Sequence, residues 1–116
     1  MVFLGGGLGS ICRYGITHLL SGYELTFPLA TFLANALSCV ALGVLTGLTL
    51  RDSLTDPHYR LGLMTGFCGG FSTFSTFTNE TLTLFANGQI GYALVNVGGS
   101  LVVCLGGIYL GIRMVY

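Results

Sequence analysis

The stretch Gly66-Phe67-Cys68-Gly69-Gly70-Phe71-Ser72-Thr73-Phe74-Ser75-Thr76-Phe77 decides how the chain is read. It lies inside a long apolar segment that otherwise has the character of a membrane helix. Three glycines are followed by two phenylalanines three residues apart, Phe74 and Phe77, with hydroxyl residues filling the gaps. A plain lipid-facing helix would carry Leu and Ile here. Hydroxyls and glycines at membrane depth are tolerated where backbone is buried in protein or lines a polar cavity. The stretch therefore predicts a broken helix beside a pathway.

Composition supports the membrane setting. Only 7% of the 116 residues are charged, against about a quarter in soluble domains, and mean hydropathy is +0.83. That is too little charge to cover a surface facing water. Net charge is zero, and lysine is absent, so no nucleic-acid partner is expected. The four cysteines, Cys12, Cys39, Cys68 and Cys104, fall one in each apolar segment without a CxxC. They are expected to be small buried side chains rather than a zinc site or a disulfide framework.

Working outward, one all-α membrane domain over 1–116 is expected, with four transmembrane helices at about 1–21, 28–50, 61–86 and 90–112. Each reaches the ~20 residues needed to cross ~30 Å of hydrocarbon. The first lacks the basic leader of a signal peptide and is read as a span. The links are 21–27, leading to Pro28; the aqueous loop 51–60; and the turn Asn87-Gly88-Gln89. Such short links make consecutive helices antiparallel. Arg51, Arg60 and Arg113 fall on one side and Arg13 alone on the other, which leans toward cytoplasmic termini.

The third segment would be ~39 Å long if wholly helical, enough to lose a turn and still span. The break is expected at 69–73. It would free carbonyls at the end of the first half-helix, a place where transporters hold cations, and N–H groups at the start of the second. Thr73, Thr76, Glu80 and Thr83 would then share one side, with Ser75 close by. Phe74 and Phe77 share another face, either as packing or as ring edges offered to an anion.

Polar residues recur on the other helices. Arg13 lies deep in the first helix and either snorkels to an interface or faces a watery cavity. Thr31, Asn35 and Ser38 lie on one face of the second helix. Asn35 is either glue between helices or a donor to an anion. Asn96, Ser100 and Cys104 make a thin stripe on the fourth. Small-residue strips at Gly62/Gly66/Gly70, Gly43/Gly47 and Gly107/Gly111 invite close backbone approach.

With these motifs in view, the chain resembles the Fluc (CrcB-type) fluoride channels over essentially its whole length. The likeness rests on Gly9-Ser10-Ile11-Cys12-Arg13-Tyr14, on Thr31 four residues before Asn35, and on Gly69-Gly70 running into Phe71-Ser72-Thr73-Phe74-Ser75-Thr76-Phe77. Ser72 stands where that family usually has threonine, and Ser38 where a glycine often follows the asparagine. The resemblance implies an antiparallel, dual-topology homodimer in the inner or plasma membrane, with each chain crossing the lipid bilayer several times. It implies a passive fluoride-selective channel that exports the ion to relieve its toxicity. A structural sodium ion at the dimer centre would be held by the backbone carbonyls of Gly69 and Ser72. The fluoride pore would be lined by Asn35, Phe74, Phe77, Ser75, Thr76, Ser100 and Asn96, with Arg13 at the vestibule. No organic cofactor and no enzymatic activity are implied.

The main alternative is a small proton-coupled multidrug exporter, also a four-helix dimer. That class is expected to depend on a carboxylate in the first helix, where this chain has Arg13. An anchoring subunit would waste three polar stripes, and no catalytic constellation suggests a membrane enzyme.

Overall fold

The computed structural model describes residues 1–22 and 26–116; the expected link 21–27 lies partly outside the described residues. Among the described residues every regular element is helical. Helix α1 is Val2–Leu20 and α2 is Leu29–Leu50. Helix α3 begins at Pro57–Arg60, widens into π-winding over Leu61–Cys68 and closes with Gly69–Phe71. Helix α4 is Phe74–Ala86 and α5 is Ile90–Val115. Of these, α2 and α5 are long and apolar enough to cross a membrane unaided.

Helix α3 starts four residues earlier than the apolar pattern predicts, so the aqueous loop shrinks to 51–56. The cause is local. Asp56 accepts a hydrogen bond from the His58 N–H (2.9 Å), and Pro57 occupies the first turn, where its missing N–H costs nothing. At the other end α5 runs three residues beyond expectation to Val115. Its carbonyl there accepts from Arg51 Nη1 at 2.7 Å. The 87–89 turn forms as expected, with Gly88 at φ +78°, a conformation that glycine adopts without strain.

Glycines set the packing. A methyl group placed on Gly5 would overlap the Gly62 carbonyl, and one on Gly70 the Gly6 carbonyl. Met1 lies beside Gly62, Gly5 beside Gly66 and Gly6 beside Gly70, so α1 and α3 ascend together. The same holds for α2 and α5: Phe32 lies near Gly99, Gly43 against the Ile108 backbone, and Gly47 against Val115. The tightest contacts thus join α1 with α3 and α2 with α5, each pair parallel, not the consecutive neighbours that short links suggest.

The polarity of the interior is inverted relative to a soluble protein. Buried side chains include Thr31, Ser38, Thr81, Asn96 and Ser100, while the buried apolar ones are small or few: Ala34, Cys68, Leu84 and Ala93. Leu8, Ile11, Leu101, Val102 and Leu105 are exposed. In lipid, tails solvate such residues, and helices associate through small-residue contacts and interhelical hydrogen bonds instead. The protein is a membrane protein.

Candidate functional site

The break is short and is held from outside its own segment. The last helical bond of α3 runs from the Ser72 N–H to the Cys68 carbonyl (3.0 Å). Ser72 and Thr73 are then extended, at φ −82°, ψ 159° and φ −151°, ψ 119°. The expected window of 69–73 narrows to 72–73, because Gly69–Phe71 keep helical geometry. Helix α4 restarts at once, since the Thr73 hydroxyl accepts the Thr76 N–H (3.3 Å), an N-cap of the usual chemistry.

What keeps Thr73 out of the helix is Asn35. Its Oδ1 accepts the Thr73 N–H (2.7 Å), and its Nδ2 donates to the Thr73 carbonyl (3.2 Å). The side-chain amide thus copies the hydrogen bonding of a backbone neighbour. The two flanking residues of the stripe on α2 act alike. The Thr31 hydroxyl donates to Glu80 Oε1, and the Ser38 hydroxyl to the Cys68 carbonyl (2.8 Å). All three predicted polar positions on α2 tie it to the broken segment, one rung per turn. Ser38, where the resemblance led one to expect a glycine, is thereby given a partner.

The clamp has a second effect. In an unbroken helix the Gly69 carbonyl would accept the Thr73 N–H, which Asn35 now takes. Among the described residues neither the Gly69 nor the Ser72 carbonyl has a hydrogen-bond partner, and Gly69 is exposed. These are hard oxygen donors at the negative end of a half-helix, chemistry that suits an alkali cation. No group of three His, Cys, Asp or Glu able to hold a metal occurs among the described residues.

Two spaces flank the break. A groove of about 220 Å³ is lined by Asn35, Cys39, Phe74, Phe77, Ser100 and Cys104, together with the break itself. No charged residue lines it. The Phe74 and Phe77 rings lie 5.9 Å apart at 36°, and Phe74 is 77% exposed. A separate cleft, also about 220 Å³, is lined by Arg13, Thr17, Thr31, Thr73 and Thr76, among others. Thr73 belongs to both spaces. Arg13 is half-buried and, among the described residues, no carboxylate pairs with it.

The remaining expected residues are distributed unevenly. Asn35, Phe74, Phe77 and Ser100 come together in the groove, and Thr76 joins Arg13 in the cleft. Ser75 is exposed beside the break, its hydroxyl 3.4 Å from that of Thr73. Asn96 lies outside the groove. It is 1% exposed, donates to Thr81 Oγ1 (2.9 Å) and accepts from the Ser100 hydroxyl (3.4 Å), so it braces α5 against α4. Its spacing to Ser100 placed it on the stripe, but one turn further the stripe turns inward. The groove also takes in Cys39 and Cys104, which the sequence suggested only as buried filler. Glu80 opens instead on a space of about 420 Å³ with Thr83, Asn87 and Gln89.

Comparison with known proteins covers the same residues. The family described as CrcB-like protein, Camphor Resistance (CrcB), matches residues 1–112. The fluoride-specific ion channel FluC of Phocaeicola vulgatus is 43% identical over 115 residues, spanning 98% of this chain and 94% of that protein. That of Methylobacillus flagellatus is 40% identical over 117 residues, spanning 99% and 91%. That of Chlorobium phaeobacteroides is 43% identical over 102 residues, spanning 88% and 79%. With the family's pattern running from the first helix into the last, the chain belongs to the CrcB-like family.

Proposed function

We propose that this protein is a passive fluoride-selective channel that exports fluoride across the cell membrane. One observation carries the reading: relatives named fluoride-specific ion channel align along nearly the whole chain, including a groove of neutral donors and aromatic edges without fixed charge. Fluoride is small and strongly hydrated, so a pore must replace its water while avoiding a charge that would trap it. Asn35 spends one amide N–H on Thr73 and keeps a second for the groove. The Phe74 and Phe77 rings can present their positive edges. Arg13 in the adjoining cleft raises the local anion concentration without standing in the narrow path.

The same reading takes the chain as a multi-pass protein of four spans, with α3, the break and α4 making the third. It assembles as an antiparallel, dual-topology homodimer. Support comes from Phe74, whose exposed ring leaves the groove open on one side in a single chain. The Gly69 and Ser72 carbonyls would hold sodium, sharing it with a second copy because two oxygens do not fill an alkali cation's shell. The bound ion would neutralise the carbonyl dipoles left by the break.

Efflux from liposomes containing the purified protein, followed with a fluoride electrode, is the deciding experiment. Fluoride should leave without any proton gradient while chloride is retained. Equal chloride flux would refute the selectivity, and flux that requires a proton gradient would favour the exporter reading.

A further inference from the structure

Cys39 and Cys104 are distant in sequence, yet parallel packing of α2 and α5 brings them together. The contact between Gly43 and the Ile108 backbone sets the register. One turn back along each helix are Cys39 and Cys104, and a further turn back are Asn35 and Ser100. Both cysteines line the groove. Cys68 is buried on the α3 side, and Cys12 is exposed on α1. All four are free thiols.

We propose that Cys39 and Cys104 form a binding site for a soft, two-coordinate d10 cation, Hg²⁺, and that its occupancy closes the groove. Thiolates select soft metals. The lack of any third His, Cys, Asp or Glu ligand among the described residues restricts the site to ions satisfied by two donors. With mercuric chloride the exchange is balanced: two S–H bonds and two Hg–Cl bonds break, and two Hg–S bonds form. Two protons and two chloride ions leave, with no change of oxidation state. The bis-thiolate product is neutral, which suits a site in an apolar surrounding. Binding itself stands on the helix register alone. The blocking effect rests on the channel reading, because the ion would sit one turn from Asn35 and Ser100.

The test uses the full chain in liposomes on a Cys12→Ala background, with mercuric chloride as the probe. One mercuric ion per chain should bind and produce the ultraviolet absorption of a mercury dithiolate. It should also protect Cys39 and Cys104 together from alkylation by N-ethylmaleimide, read by mass spectrometry. Fluoride efflux should be lost and should return on adding excess dithiothreitol. In Cys39→Ala or Cys104→Ala the dithiolate band should vanish. The concentration that halves efflux should rise by about a hundredfold, the gain a second tethered ligand provides. An unchanged band and unchanged sensitivity in both variants would overturn the site, as would alkylation of both thiols in the mercury-loaded parent. Undiminished efflux with the band present would overturn the block. A parent that binds mercury but never conducts fluoride would instead overturn the channel reading and leave the site standing.

Discussion

The two halves of the third segment differ in nearly every respect, although only Ser72 and Thr73 separate them. Helix α3 carries Gly62, Gly66 and Gly70 and lies backbone to backbone against α1. Helix α4 carries Ser75, Thr76, Thr78, Glu80, Thr81 and Thr83 and leaves much of that surface exposed. The first half gains stability from close approach that no side chain can replace. The second forgoes such backbone contact: Thr78, Thr81 and Thr83 bond back to their own helix, while Ser75, Thr76 and the Phe74 ring stay exposed. A segment can thus divide its labour: rigidity on one side of a break, chemistry on the other.

Substitutions can test that division, and the largest effect is expected in α3. Gly70→Leu should prevent α1 and α3 from meeting, because even a methyl group there overlaps the Gly6 carbonyl. Overpacking costs about 1–3 kcal/mol or more, and backbone cannot step aside as a side chain can. Little monodisperse protein should be recovered on gel filtration. A well-folded Gly70→Leu would show that the contact is dispensable.

Asn35→Ala addresses the clamp itself. It strips the Thr73 N–H and carbonyl of their partner, and an unsatisfied buried group costs about 1–3 kcal/mol. A lowered thermal midpoint together with loss of fluoride efflux is expected. Asn35→Asp separates the two roles. It can still accept from Thr73 N–H but places a negative charge in the groove, so efflux should fall further than stability does.

On the α4 side, Phe74→Ile and Phe77→Ile should reduce efflux while the thermal midpoint shifts little, Phe74 being largely exposed in the single chain. If both conduct normally, the ring edges have no part in the path. The smallest effect is expected of Ser72→Thr. The residue's backbone defines the break, and a threonine hydroxyl can repeat the bond to the Cys68 carbonyl. Efflux and stability should both stay close to those of the parent.

Much of this was legible in the sequence. Glycines followed by hydroxyls and phenylalanines announced a break within five residues, and composition announced a membrane. Spacing grouped residues on one helix face, and the resemblance singled out Asn35, Ser100, Phe74 and Phe77, which the fold gathers along one groove. Asn96 shows where spacing stops helping. Being four residues from Ser100 does not say how far a stripe wraps before it meets a neighbour, here Thr81 of α4.

The sequence by itself determined the chain's solvent and the approximate place of its break, because both follow from local composition: few charges to face water, and caps and glycines within a few residues of each other. Only the tertiary structure decided that the break falls at Ser72 and Thr73, since the group that captures the Thr73 N–H sits on α2. It alone decided which glycine strips pair, and that two cysteines remote in sequence share one groove. Those outcomes depend on the register between helices, and register is set by contacts between residues far apart along the chain.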